Sequence, residues 1–228
     1  MKLLLFDVDQ TLINTGGAGV RALDRAFRKI LSVDNAMEGV PRHGRTDTSI
    51  VRHALTARVG EDAATPDVLE TIIEAYLSFL REEVELSETY RVLPGIVEIL
   101  RELSGRADAM VGLATGNVEM GARIKLDRGG LNSYFAFGGF GSDSEKRPEL
   151  VRRAADRACR SFGSDIDPQD IFVIGDTPLD IEAALDAGFR AVGVATGDYN
   201  VDELRESGAE CAISDFAEGR YLFSAFIE

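Results

Sequence analysis

An apolar run directly before two aspartates is the feature that most constrains how this chain can fold. Residues 3–6 are apolar at successive positions, and Asp7 and Asp9 follow at once. A short run without polar interruptions predicts a strand that is buried on both faces of a parallel sheet. Open α/β sheets bind their ligands at the carboxyl ends of the strands. Two carboxylates at such an end repel each other and resist burial, so they need a cation, a proton or a chemical task.

Strand and helix patterns alternate along most of the chain. This alternation predicts an α/β protein with a Rossmann-like, mostly parallel sheet and crossover helices. The candidate strands lie at residues 2–6, 109–114, 135–139, 171–174, 191–194 and 211–213. The helical patterns between and after them lie near 95–104, 118–128, 146–162, 179–187, 201–207 and 215–227.

Residues 15–90 interrupt the alternation, because they contain helical patterns and no strand signal. This stretch predicts an inserted α-helical domain, with the α/β core formed by residues 1–14 and 91–228. Gly16 and Gly17 suit a hinge at the start of the insertion, since glycine tolerates backbone conformations that other residues avoid.

The charge of the chain limits its partners. The formal net charge is -14 and the sequence pI is about 4.6, which disfavours binding to nucleic acid or to an anionic membrane. No apolar run approaches the roughly 20 residues of a membrane span, and the N-terminus lacks the pattern of a signal peptide. We therefore expect a cytoplasmic protein, monomeric or homodimeric, without a nucleic-acid or membrane partner.

Later strand ends carry groups that suit a phosphate. Thr115, Gly116 and Asn117 follow an apolar strand and could present a hydroxyl and backbone N–H groups to phosphate oxygens. A plain helix N-cap explains the threonine equally well. Lys146 and Arg147 open a later helix, where a cation could hold a phosphate and offset nearby carboxylates.

A second acidic strand end follows residues 171–174. Asp176 stands there and could join Asp7 as a hard oxygen ligand of Mg²⁺. Asp180 lies four residues further on and could orient the basic residue or a metal-bound water. The alternative for Asp180 is a helix N-terminal acid that the helix dipole stabilises.

Taken in order, these motifs resemble the haloacid dehalogenase superfamily over the whole chain. They are Asp-x-Asp-x-Thr from Asp7, a threonine strand end, a basic residue before a helix, and Gly-Asp-x-x-x-Asp from Gly175. The helical insertion resembles the mobile cap of the subgroup that includes phosphoglycolate phosphatase and β-phosphoglucomutase. The stretches 175–180 and 195–197 are similar to the phosphoglycolate-phosphatase-like branch.

The resemblance implies a role for each matching residue. Asp7 would be the nucleophile and Asp9 the general acid and base. Asp7, the main-chain carbonyl of Asp9, and Asp176 would hold Mg²⁺. The phosphoryl group would be bound by Thr115, Gly116, Asn117 and Arg147, with Asp180 and Lys146 in support.

Two positions depart from the pattern of the family. Gln10 stands where many members have glycine, which bears on the turn after the first strand. The family has lysine before proline in its third motif, and Arg147 is the residue with that spacing, so we favour Arg147 over Lys146. An arginine would bring a planar fork of donors in place of a point charge.

Several reactions are known in this family, and the residues discriminate among them. Dehalogenases lack the second aspartate, so Asp9 argues against halide cleavage. Phosphonate hydrolysis uses a cap lysine that forms a Schiff base, and residues 12–93 contain only Lys29. A sugar-phosphate mutase keeps the same aspartates and stays open as an alternative. A noncatalytic phospho-receiver is a further alternative, but such domains are about half this length and lack a cap.

The function predicted from the sequence is hydrolysis of a small phosphorylated metabolite by a Mg²⁺-dependent phosphatase with an aspartyl-phosphate intermediate. Phosphoglycolate is the substrate that the family suggests. A polar loop at residues 43–47, directly after Arg42, could face the active site. Arg42 and Arg45 could recognise a carboxylate or a second anionic group on the substrate, and we predict that Arg45 contributes to substrate selection. His43 in the same loop is interpreted as a structural histidine.

Overall fold

A six-stranded, fully parallel sheet forms the centre of the computed structural model, which describes residues 1–228. The order of its strands is β5-β4-β1-β6-β7-β8, and β2 and β3 form a separate pair. The strands are β1 (Lys2–Phe6), β2 (Ile13–Asn14), β3 (Arg91–Val92), β4 (Ala109–Thr115), β5 (Gly138–Phe140), β6 (Ile171–Gly175), β7 (Arg190–Val194) and β8 (Cys211–Ile213).

The first strand, β1, lies in the middle of the sheet between β4 and β6. Leu4 and Phe6 pack into the hydrophobic cluster on one face, and Leu3 and Leu5 pack into the cluster on the other. Neither face is open to water, which explains the uninterrupted apolar run in the sequence. The predicted α/β class and the bounds of this strand are confirmed.

Helices cover both faces of the sheet, so the core has three layers. The helices are α1 (Ala18–Leu31), α2 (Asp47–Arg58), α3 (Pro66–Leu86), α4 (Ile96–Ser104), α5 (Glu119–Asp127), α6 (Arg147–Phe162), α7 (Pro178–Ala187), α8 (Val201–Glu206) and α9 (Phe216–Phe226). The helices α4, α5 and α9 bury their apolar sides in one cluster, and α6, α7 and α8 bury theirs in the other. None of these helices combines the length and the apolar character needed to cross a membrane.

The helices α1, α2 and α3 form a separate helical unit between β2 and β3. They bury a hydrophobic cluster of 19 residues, in which α1 lies along α3. The two connections to the sheet run side by side, because Ile13 pairs with Val92 and Asn14 with Arg91 in an antiparallel ribbon. This ribbon was not predicted, since strands of two residues are too short to leave a period in the sequence.

One predicted strand is displaced. The apolar residues 135–139 predicted a strand, but β5 begins at Gly138 and ends at Phe140. Phe135 follows a 3₁₀ turn and is buried in the core without belonging to the sheet. Its burial therefore comes from packing beneath the turn. A buried residue of a turn and a buried residue of a strand give the same apolar pattern in the sequence.

The proposed hinge begins with a constrained residue. Gly16 has φ of 61°, a left-handed conformation, and a Cβ there would lie 2.1 Å from Thr89 Oγ1. Its N–H donates to Asn14 Oδ1 at 2.8 Å. Gly16 thus fits a tight turn between the ribbon and α1, and its role as a hinge stays a prediction.

Candidate active site

The carboxyl ends of three neighbouring strands bring the predicted polar residues together. Asp7 follows β1, Thr115 ends β4 and Asp176 follows β6. All three residues are buried. The site therefore lies at the edge where open α/β sheets place their ligands.

A cluster of three buried carboxylates forms one side of this site. Asp7, Asp176 and Asp180 each offer an oxygen within 4.8 Å of the others. Burial, and next the charge of Asp180, raise the pKa of both Asp7 and Asp176. Three carboxylates that are shielded from water require compensation by positive charge.

Arg147 supplies one positive charge to the cluster. It is the first residue of α6, and its buried guanidinium lies 3.8 Å from Asp7 Oδ1 and pairs with Asp180. Its Nη1 also donates to the carbonyl oxygen of Gly44 at 3.0 Å, and its Nε has no hydrogen-bond partner. One guanidinium against three carboxylates leaves an excess of negative charge.

The remaining acceptors fit a divalent cation. Both oxygens of Asp180 are engaged, one by Arg147 and the other by the N–H and hydroxyl of Thr177 at 3.1 and 2.7 Å. Asp7 and Asp176 are less occupied, and the main-chain carbonyl of Asp9 accepts no hydrogen bond. Mg²⁺ prefers hard oxygen ligands and commonly binds through one or two carboxylates, so this set of donors suits it.

Asp9 faces a different environment from Asp7. Its Oδ2 accepts hydrogen bonds from Asn117 Nδ2 at 2.9 Å and from Lys125 Nζ at 2.6 Å. Asn117 also donates to Thr115 Oγ1 at 2.8 Å. The side chain of Asp9 is 39% exposed. The two aspartates of the first motif are therefore held by separate partners.

Lys125 is a site residue that the sequence analysis missed. It lies on α5, its side chain is 6% exposed, and its ammonium also donates to Asn117 Oδ1 at 2.6 Å. Burial would lower the pKa of this ammonium, but Asp9, Tyr76 and Asp47 together raise it above its usual range. The amine therefore stays protonated and does not suit Schiff-base chemistry.

The helical unit closes this side of the site. The N–H of Asp47 donates to the carbonyl oxygen of Gly116 at 2.8 Å, and its Oδ2 accepts from the N–H of Val118 at 2.9 Å. Burial raises the pKa of Asp47 to about 6, although Lys125 opposes the shift. Asp47 therefore bonds the start of α2 to the segment that follows β4.

A cavity of about 330 Å³ lies between the helical unit and the strand ends. Arg42, His43 and Arg45 of the polar loop contribute to its lining. Arg42 is held by the carbonyl oxygens of residues 37 and 40, and His43 pairs with Asp198 at the surface. Arg45 is exposed and its side chain makes no hydrogen bond or ion pair, so it is free to contact a solute.

Two basic residues from the sequence analysis lie outside the cavity. The side chain of Lys146 is 79% exposed and pairs with Glu149 at 3.4 Å. Lys29 lies over the ring of Phe79, 5.4 Å from its centroid. The structure therefore brings Arg147, and not Lys146, to the carboxylates.

The departure at Gln10 is accommodated by a left-handed backbone. Its φ is 59°, a conformation that non-glycine residues adopt at a cost. Its N–H donates to the carbonyl oxygen of Ile13 at 2.7 Å, and its carbonyl oxygen accepts from the hydroxyl of Thr196. Gln10 thus adopts a backbone conformation that glycine would adopt without this cost.

Comparison with known proteins supports the same family. The chain is 29% identical over 219 residues to the probable phosphatase IndB of Dickeya dadantii, covering 95% of this chain and 90% of that protein. It is 28% identical over 204 residues to a phosphoglycolate phosphatase of Pseudomonas putida, covering 87% and 71%. A crystal structure of a hydrolase from Pseudomonas syringae has the same fold, with a TM-score of 0.72 at 22% identity over all of both chains.

The family model described as haloacid dehalogenase-like hydrolase matches residues 4–194. This range includes the strand ends that carry Asp7, Thr115 and Asp176, and also the helical unit. The chain is therefore a member of the haloacid dehalogenase-like hydrolase family.

Proposed function

We propose that this protein is a Mg²⁺-dependent phosphatase that hydrolyses a small phosphorylated metabolite through an aspartyl-phosphate intermediate. The observation that carries the proposal is the separation of Asp7 from Asp9. Asp7 lies among carboxylate oxygens that could hold a metal ion and near Arg147, whereas Asp9 lies beside Asn117 and Lys125. A nucleophile and a proton carrier need such different surroundings.

Asp7 acts first in this mechanism. One of its carboxylate oxygens attacks the phosphorus atom, and the bond from phosphorus to the leaving alcohol breaks. Arg147 and the hydroxyl of Thr115 bind phosphoryl oxygens, and the unpartnered Nε of Arg147 is available as a donor. Asp9 donates a proton to the departing oxygen.

The second step releases phosphate. Asp9 removes a proton from a water molecule, whose oxygen attacks the aspartyl phosphate. The bond to Asp7 breaks and the carboxylate is restored. In this proposal the helical unit, which covers the cavity, limits the entry of bulk water during the cycle.

The metal belongs to the carboxylate side of the site. Asp7, Asp176 and the main-chain carbonyl of Asp9 would hold Mg²⁺, and Asp180 would act through Arg147 and Thr177 instead. The bound ion would supply positive charge that offsets the charge of the phosphoryl oxygens. The three buried carboxylates against one guanidinium support this assignment.

We propose 2-phosphoglycolate as the first substrate to test. Several relatives carry the name phosphoglycolate phosphatase, among them the protein of Pseudomonas putida. The cavity of about 330 Å³ suits a small ester. Arg45 lines it without a partner and could bind the carboxylate of the substrate. In this proposal the helical unit serves as a cap that selects the substrate.

Release of inorganic phosphate tests the proposal directly. The purified protein is incubated with 2-phosphoglycolate, sugar phosphates and nucleotides in Mg²⁺, and then in excess EDTA. We expect turnover of at least one small ester in Mg²⁺ and its loss in EDTA. Turnover that EDTA does not change would contradict the metal assignment. An isomer that accumulates without phosphate would identify a mutase.

A further inference from the structure

Lys125 lies in the cavity at a place that neither the nucleophile nor the metal ligands require. Its ammonium is 2.6 Å from Asp9 Oδ2 and 2.6 Å from Asn117 Oδ1. Its side chain is almost fully shielded from water. Hydrogen bonds between charged groups are strong and directional when water is excluded. Lys125 therefore holds the side chains of Asp9 and Asn117 in fixed orientations.

The two carboxylate oxygens of Asp9 have different surroundings. Oδ2 accepts from both Lys125 and Asn117, and these donors occupy both of its lone pairs. Oδ1 accepts no hydrogen bond, and Asp9 lines the cavity. Only Oδ1 is therefore available to carry a proton toward a solute.

The helical unit holds Lys125 in this position. A Cβ built at Gly19 of α1 would lie 3.8 Å from both Lys125 Nζ and the hydroxyl oxygen of Tyr76, so these groups share one narrow space. The carboxylate of Asp47 adds a further attraction for the ammonium. The lysine therefore cannot swing away from Asp9 while the helical unit lies against the core.

We propose that Lys125 is a positioning residue, which fixes Oδ2 of Asp9 so that Oδ1 exchanges the proton with the substrate. This inference rests on the proposed phosphatase function. As phosphorus bonds to Asp7 and its bond to the alcohol breaks, the proton on Oδ1 moves to the leaving oxygen. As water attacks and the bond to Asp7 breaks, a proton of that water moves to Oδ1. Lys125 keeps its own protons throughout.

Two esters with different leaving groups test this role. The alkoxide of 2-phosphoglycolate needs a proton as it leaves, whereas p-nitrophenolate leaves as a stable anion. We measure kcat/KM, which reports the steps up to departure of the alcohol. In Lys125→Met we expect a loss of about 100-fold for 2-phosphoglycolate and of less than about fivefold for p-nitrophenyl phosphate. Lys125→Arg keeps a charged donor and should lose only about tenfold for 2-phosphoglycolate.

A matched substitution and a second variant complete the test. Lys29→Met changes an exposed lysine of α1 and should leave both rates unchanged. If Lys125→Met does not fold, Lys125→Gln removes the same charge and should give the same preference for p-nitrophenyl phosphate. If the wild type does not hydrolyse 2-phosphoglycolate, the sugar phosphate or nucleotide that it hydrolyses fastest takes the place of 2-phosphoglycolate, because these are also alkyl esters.

The outcomes separate this inference from the function on which it rests. Equal losses for both esters, or no loss for either, would overturn the positioning role. A wild-type protein that releases phosphate from none of these alkyl esters in Mg²⁺ would overturn the proposed phosphatase, and the role of Lys125 with it.

Discussion

The two sides of the cavity treat their carboxylates in opposite ways. On the side of the strand ends, Asp7, Asp176 and Asp180 crowd around one guanidinium and retain an excess of negative charge. On the side of α5, one half-exposed carboxylate, that of Asp9, is bonded directly to the ammonium of Lys125. The first side is suited to bind a metal cation, whereas on the second side the ammonium of Lys125 already supplies the positive charge.

This difference explains how two aspartates only two positions apart can have different chemical properties. The strand carries both to one edge of the sheet, but their chemistry depends on residues more than a hundred positions away. Arg147 reaches Asp7 from α6, and Lys125 reaches Asp9 from α5. Both cations also contact the helical unit. Arg147 donates a hydrogen bond to the carbonyl oxygen of Gly44, and Lys125 is attracted by the carboxylate of Asp47.

The largest effect is expected from loss of Asp7, the proposed nucleophile. Asp7→Asn keeps the size of the side chain but cannot form the acyl phosphate, so kcat should fall at least about 10⁴-fold. Phosphate release from 2-phosphoglycolate measures this. Activity within tenfold of the wild type would show that the carboxylate side of the cavity does not carry the nucleophile.

A smaller effect is expected when Arg147, the cation beside Asp7, is replaced by lysine. Arg147→Lys keeps the charge but loses the planar fork that reaches Asp180 and the carbonyl of Gly44 together. We expect KM for the phosphate ester to rise about tenfold, with a smaller change in kcat. An unchanged KM and an unchanged inhibition constant for inorganic phosphate would show that Arg147 only holds the protein together.

The pH dependence of stability tests the side of the cavity formed by α5, where Asp47 lies near Lys125. The pKa of Asp47 is raised from 3.8 to about 6 in the folded protein. The folded state then binds the proton more tightly than the unfolded state, so this group's contribution to stability is lost as pH rises from about 4 to about 6. Asp47→Asn has no such group.

Denaturant unfolding of both proteins between pH 4 and pH 8 measures this contribution. The free energy of unfolding of the wild type, relative to Asp47→Asn, should fall by up to about 3 kcal/mol and level off above pH 7. A difference that does not vary with pH would contradict the burial of this charge beside Lys125.

The smallest effect is expected at the turn after β1. Gln10→Gly relieves a left-handed conformation but removes the bond from Asn14 to the side chain of Gln10, so the free energy of unfolding should change by no more than about 1 kcal/mol. Activity should stay within about twofold, because Asp9 is held by Asn117 and Lys125. A large loss of activity would instead assign the orientation of Asp9 to the turn.

Much of this architecture could be predicted because the information is local. Asp7 and Asp176 each follow an apolar strand, and parallel strands bring their carboxyl ends to one edge. The sequence therefore indicated the fold class, the position of the site and most of the polar groups in it. The exact start of β5 was missed, because Phe135 is buried without being in a strand.

Lys125 could not be predicted from local pattern alone. Lysine is rarely buried, so a lysine in a helix is normally interpreted as exposed. The helical spacing did contain a hint of its burial. Lys125 lies three residues after Ala122 and seven after Val118, and all three residues are buried on one side of α5. What keeps it there is the carboxylate of Asp9, with Tyr76 and Asp47 of the helical unit adding to the attraction. No local pattern connects residues so distant in the chain.

The ribbon formed by β2 and β3 has a consequence for protein engineering. Ile13 and Val92 are paired neighbours, so the chain leaves the sheet and returns to it at one point. Any segment whose ends lie equally close could replace residues 15–90 without moving a strand of the sheet. Under the proposed function, grafting the corresponding helices of a relative onto this ribbon is therefore a practical route to new substrate preferences while the residues at the strand ends stay the same.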